Sequence, residues 1–305
     1  MKLLNKITAF SLAGVLCLAA AGCSGGTGGT TKLEVTDSSV SQVVADAKAK
    51  LEEESESKAV ITVDFNLKAN DESSSAVSVT EVKARKNPEL ISIKTGGTQD
   101  GNAVEDNLEV YLEQTEESYY IYMPYNGEWY KQDMDGDYIK TLFKQYYVAE
   151  NIGSIIDNVD NIKLAGEEKV GDTDTFKITC EIPADKTYEV AEGTSVFFNI
   201  GLSGIQKEIF DVKDPVPVTL WINAADGTVV KVYMDYTKAL QDIINAVYAS
   251  YGAELGEDTG RLGTDKYLVT IEMSDYGNLK DFAIPEDIKN AKDFGESGDV
   301  TVLDE

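Results

Sequence analysis

The sequence predicts an α+β fold, a strongly curved antiparallel sheet whose concave side is filled by helices, and three observations point to it. Apolar and polar residues alternate through seven stretches, the pattern of strands with one dry face and one wet face. Two tight-turn sequences, Asn223-Ala224-Ala225-Asp226-Gly227-Thr228 and Tyr125-Asn126-Gly127-Glu128, join consecutive stretches as hairpins, because Asp-Gly and Asn-Gly supply the positive φ that a sharp reversal needs. Between the strands lie segments whose apolar residues recur every three or four positions, the period of a helix with one buried stripe.

The first such segment is Asp37 to Glu56, where Val40, Val43, Val44, Ala47 and Leu51 share a face after a Ser/Asp cluster suited to capping. The period then changes to two. Ile61, Val63, Phe65 and Leu67 alternate with polar neighbours, as do Leu108-Val110-Leu112, Tyr119-Ile121-Met123 and Phe176-Ile178-Cys180-Ile182. Val218-Leu220-Ile222, Val230-Val232-Met234 and Val269-Ile271-Met273 complete the set. Alternation this clean belongs to antiparallel sheets covered on one side. Three more helices are expected, over Tyr138–Tyr147, Thr194–Phe210 and Thr237–Tyr251, and Pro285 suits the first turn of a short one near the end. Their stripes and the dry face of the sheet need one another.

The first residues set where the protein works. Lys2 and Lys6 precede an uncharged run from Ile7 to Ala21, and Ala20-Ala21-Gly22 lead into Cys23. A basic start, a short apolar core and small residues before a cut describe an export signal. The cysteine after the small residues resembles the bacterial lipoprotein signal, with Ala20 where Leu is commonest. That resemblance implies removal of residues 1–22, a diacylglycerol on Cys23, and anchorage to the outer face of the cell membrane. Ser24-Gly25-Gly26-Thr27-Gly28-Gly29-Thr30-Thr31 reads as a flexible tether. The expected plan is therefore signal (1–22), lipidated Cys23 and tether (23–36), one folded domain (37–292) and an acidic flexible tail (293–305).

Composition removes several classes of function. The chain has 54 acidic and 27 basic residues and a formal charge of −27, so it repels nucleic acid and anionic head groups. It contains no histidine, which removes His-dependent nucleophile arrangements and the usual zinc sites. Cys17 leaves with the signal and Cys23 carries lipid, so Cys180 has no partner for a disulfide, and alternation puts it on a dry face as a small apolar side chain. Asp133-Met134-Asp135-Gly136-Asp137 looks like a calcium loop, but its glycine is fourth rather than sixth and Lys144 stands where a bidentate Glu belongs. It reads as a solvated turn before a helix. With so many carboxylates, accidental pairs are inevitable and none marks a glycosidase. No catalytic residue, metal ligand or cofactor is predicted. Tyr120, Tyr122, Trp129 and Tyr130 form a candidate aromatic surface for a partner, set against ordinary packing on strands.

The order of these parts carries a resemblance. A lipobox, a tether, a helix and a meander lead to Gly127-Glu128-Trp129-Tyr130-Lys131, then to the hairpin Leu220-Trp221-Ile222 to Val230-Lys231-Val232, and finally to Ile284-Pro285-Glu286-Asp287-Ile288-Lys289-Asn290-Ala291. Together they resemble surface lipoproteins of Gram-positive anaerobes with domains of the LolA/LppX half-barrel type. That likeness implies an incomplete barrel wrapped around helices, with an apolar cavity for acyl chains. The helix at 237–251, inserted between the hairpin and the last strand, departs from that pattern as a lid or a filling. Phe65, Leu112, Phe143, Leu220, Val232, Ile244 and Val247 are the candidate lining, or else packed core. Two functions follow: a non-catalytic binding protein for a lipid or amphiphile, or a cell-envelope module that contacts another protein. A continuous apolar space of several hundred cubic ångströms favours the first, and a space too small for an acyl chain favours the second.

Overall fold

Among the described residues thirteen strands form one sheet, and the alternating stretches supply its middle. A computed structural model describes residues 33, 35–69, 72–104, 108–116, 118–197, 200, 202, 205–255 and 262–294. The signal, Cys23, most of the tether and the end of the tail lie outside the described residues. In chain order the strands are β1 (Glu56–Ala69), β2 (Glu72–Lys86), β3 (Glu89–Gln99), β4 (Asn102–Ala103), β5 (Glu109–Gln114), β6 (Tyr119–Tyr125), β7 (Glu128–Met134), β8 (Asp160–Val170), β9 (Thr173–Ile182), β10 (Val216–Asn223), β11 (Val229–Asp235), β12 (Leu262–Ser274) and β13 (Lys292–Asp293). The helices are α1 (Val40–Glu53), α2 (Gly136–Leu142), α3 (Val148–Asp157), α4 (Thr187–Thr194), α5 (Thr237–Leu255) and α6 (Glu286–Lys289).

Laterally the order is β13-β7-β6-β5-β3-β2-β1-β12-β11-β10-β9-β8, with β4 on β3. All neighbours are antiparallel except β13 on β7. The sheet is curved and unclosed, an α+β half-barrel as the sequence predicts. β1 and β12 run side by side at its centre, pairing Val63 with Val269 and Ile61 with Ile271. On the inner face their side chains join those of β9, β10 and β11, and of α1, α3, α4 and α5, in one continuous core. Leu51, Ile152, Ile178, Leu220, Val232 and Leu240 are each at most 1 % exposed.

Local chemistry explains where several elements stop. Asp135 Oδ1 accepts the amides of Asp137 and Tyr138 at 3.0 Å, so the acidic run caps α2. At the β10–β11 turn Gly227 takes φ 74°, and the register shifts after Trp221. That bulge corrects the expected phase of β11: Val229, with Val232 and Met234, faces the core, and Val230 is only half-buried.

Two further expectations are corrected. The helix placed at Thr194–Phe210 is replaced by α4, which ends where that helix was expected to begin, because Thr187, Val190, Ala191 and Thr194 form the buried stripe and Ser195 then takes the left-handed conformation at φ 52°. The described residues beyond it make turns that still bury Phe197. The helix placed at Tyr138–Tyr147 breaks at Phe143 (φ −106°, ψ 17°), resumes as a short 3₁₀ turn, and is followed by α3, which the sequence reading missed. β3, β8 and the Ser-rich β2 are likewise strands that the sequence reading does not include. At the other end, β13 pairs with β7, and Phe294 meets Tyr125 and Tyr130 edge-on with ring centroids 5.9 and 5.6 Å away.

Candidate functional site

An apolar cavity of about 210 Å³ opens where α1 hands over to β1. Its floor is the inner face of three strands: Ala59 on β1, Val82 and Ala84 on β2, and Ile91 on β3. The register sets Ala59 opposite Val82, and Ala84 opposite Ile91, so these side chains form one patch. Val148 and Ala149, in the first turn of α3, close it from above. The space exists because Ala59 and Ala84 are short where their neighbours in the sheet carry branched chains, and Ala149 is short on the helix above.

The rim is polar and mostly acidic. Glu54, Glu56, Glu89 and Glu150 line it together with Arg85, Lys86 and Tyr147. Both cations are turned to backbone carbonyls: Arg85 donates to Pro88 O and Phe282 O at 3.3 Å, and Lys86 donates to Leu51 O at 3.2 Å and Glu52 O at 2.8 Å. Glu56 accepts the Leu279 amide at 3.1 Å, and Glu89 accepts the Tyr147 hydroxyl at 2.6 Å. Burial, then Glu89, pushes the Tyr147 phenol well above its ordinary range, so it stays a neutral donor.

Further along β1 and β2, and reaching β12, lies a second cavity of about 60 Å³, bounded by Ile61, Val63, Thr80, Tyr146, Asn151 and Val269 among others. Val148 lines both cavities and stands between them. Burial raises the Tyr146 phenol in the same way.

The predicted lining residues fall elsewhere. Leu112, Leu220, Val232 and Ile244 are buried, and Phe65, Phe143 and Val247 pack half-buried against them, all in the main core. None of the seven lines either cavity. The residues that do were overlooked because small side chains on weakly alternating strands give little hydrophobic signal.

The aromatic surface is also corrected. Tyr120 and Tyr122 point away from Ile121, as alternation requires, but the returning C-terminal segment covers that outer face. Phe282, Ile284, Ile288 and Ala291 pack there against Leu90, Tyr111, Tyr120, Tyr122 and Trp129. Tyr122 is left 3 % exposed there, while Tyr130, on the other face from Trp129, is 9 % exposed against Tyr125 and Phe294. Lys289 reaches Glu113 at 3.2 Å and Lys292 reaches Glu128 at 2.8 Å, fastening the strap. Cys180 is 7 % exposed, and burial pushes its thiol up to about 12. Among the described residues no group of three or more His, Cys, Asp or Glu side chains is placed to hold a metal, and no helix is long and apolar enough to cross a membrane.

No protein-family model matches the chain, and no curated protein matches it by sequence. Solved structures do. Lipoprotein LppX of Mycobacterium tuberculosis is 14% identical, with 82% of this chain and 100% of that one covered at a TM-score of 0.40. LprF from Mycobacterium bovis is 14% identical, with 82% and 98% covered at 0.46. A Vibrio parahaemolyticus domain described as an outer membrane lipoprotein-sorting protein is 11% identical, with 84% and 98% covered at 0.24.

Proposed function

We propose that the protein is a lipid-anchored, extracytoplasmic binding protein without catalytic activity, which holds one small or single-chain amphiphile in the cavity between β1–β3 and α3. The observation that carries this reading is the cavity itself, with an apolar floor and a polar rim at one opening. Burial of a chain on the floor supplies affinity of roughly 0.8 kcal/mol per methylene, while the head group stays at the rim. Cys23, the residue that directly follows the signal, supplies the anchor. The volume restricts the ligand: about 210 Å³ exceeds the roughly 150 Å³ apolar cavity that accepts a benzene, yet lies below the usual range for larger ligands. A longer chain has to pass Val148 into the inner cavity.

Native mass spectrometry with lipid extraction on residues 24–305 tests the proposal. One amphiphile per chain is expected, and it should be lost in Val148→Trp, whose ring fills the passage, while circular dichroism remains unchanged. A clean apo mass, with no uptake from a lipid mixture by the folded chain, shifts the assignment to an envelope module that contacts another protein. That second reading draws on the inner cavity, whose 60 Å³ does not admit an acyl chain without rearrangement.

A further inference from the structure

The cavity mouth and the point where the tether enters the fold lie at the same end of the half-barrel. Leu33 donates its amide to Ala224 O at 2.8 Å, on the β10–β11 turn, and Lys50 donates to Asp226 O on the same turn. Tyr276, just past the end of β12, donates its hydroxyl to Val229 O at 2.6 Å, where β11 begins. The adjoining Gly277 amide reaches Glu56 O at 2.8 Å, at the cavity rim. The tether entry, hairpin tip, loop 275–279 and mouth are thus linked by consecutive hydrogen bonds. The opposite end, where Ala69 pairs with Leu262, lies thirteen β1 residues away, about 43 Å at strand rise.

The chain between Cys23 and Leu33 spans ten residue steps, at most about 35 Å fully extended. An anchor at Cys23 therefore holds the mouth end within that reach and leaves the far end free to stand off. The rim adds a preference of charge. Four glutamates line it against Arg85 and Lys86; both cations donate to carbonyls, and Glu56 and Glu89 accept the Leu279 amide and the Tyr147 hydroxyl, so the rim stays net negative, which suits a head group that presents positive charge and repels a bare carboxylate.

Resting on the binding role and the Cys23 anchor proposed above, we propose that the end bearing the hairpin tip and the Glu54–Ser57 rim faces the membrane. The cavity then takes its ligand, an amphiphile with a positively charged or zwitterionic head group, directly from the bilayer that anchors the chain.

The test uses the full lipidated chain on phosphatidylcholine vesicles carrying a nitroxide lipid, with a fluorophore on Asn278→Cys at the mouth end or on Asp265→Cys at the far end. Both positions are exposed, and Cys180 is shielded in the core. The Asn278→Cys label should be quenched at least threefold more than the Asp265→Cys label. Uptake of dodecylphosphocholine from the same vesicles should exceed uptake of dodecanoate about tenfold. Equal or reversed quenching overturns the orientation alone, and preferential uptake of dodecanoate overturns the head-group selection alone. A chain that does not float with vesicles overturns the proposal through its anchor. One that floats but takes up neither probe overturns it through the binding role.

Discussion

The two faces of the sheet bury apolar surface by different routes. On the inner face, strands that are neighbours in sequence bring Leu220, Val232, Ile178 and Ile271 together with α1 and α3, so local alternation already encodes most of the core. On the outer face, Leu90, Tyr111 and Tyr122 are covered only when Ile284 and Ile288 return from the far end of the chain. The inner core is continuous and coupled to the whole fold, while the outer one is a small patch under a strap. Stability should follow that division, with global unfolding set by the first and local opening by the second.

The largest effect is expected inside. Leu220→Ala should lower the unfolding free energy by about 2–5 kcal/mol in urea titrations, since the site is fully enclosed and a cavity is left behind. A cost below about 1 kcal/mol would show that the inner core collapses around deletions and would remove the distinction between the faces.

A smaller and more local change is expected outside. Ile288→Ala should cost about 2 kcal/mol, in the range for a buried Ile truncation. By hydrogen exchange, the loss should fall on β13, α6 and the edge strand β7, with β10 and β11 still protected. Uniform loss of protection would mean that the strap is part of the global cooperative unit.

The smallest effect belongs to the charged outer surface near β1. Lys58 Nζ lies 2.6 Å from Glu81, and this contact, with Lys83 and Lys94 nearby, holds the Glu81 carboxyl below its ordinary range. A carboxyl depressed in the folded state stabilises above its unfolded value, near 4.5, and that contribution is lost as pH falls through the folded value. Because the pair is partly exposed, Glu81→Gln should cost no more than about 1 kcal/mol at pH 7. The difference from wild type should vanish in strongly acidic buffer; a difference that persists there would assign the effect to packing instead.

The same division explains what could be read from the sequence. The strands around Val63, Leu220 and Val269 are legible because one residue in two is apolar, although Val63 and Val269 pair across most of the chain. β2 is not, because Ser73-Ser74-Ser75 and the charges of Glu81-Val82-Lys83 blur its alternation although its core-facing Val82 is 1 % exposed. The cavity escaped for a different reason. Large side chains such as Phe65 and Phe143 attract attention as lining but fill space, whereas the opening lies where Ala59, Ala84 and Ala149 leave it. Sequence periodicity tells which face a residue takes, and only the height of α3 above that face decides whether a gap remains.

The open sheet leaves two edges, and both are spoiled as templates for another chain. On one side β13 occupies part of β7 in parallel, and on the other β8 departs from regular register at Asp160/Lys163 and again at Leu164/Gly166 while exposing Glu167, Glu168 and Lys169. Copies that approach edge to edge therefore meet broken, charged borders rather than long straight ladders. Crowding should favour separate molecules over edge-to-edge ribbons, which lets an unclosed barrel persist at high concentration.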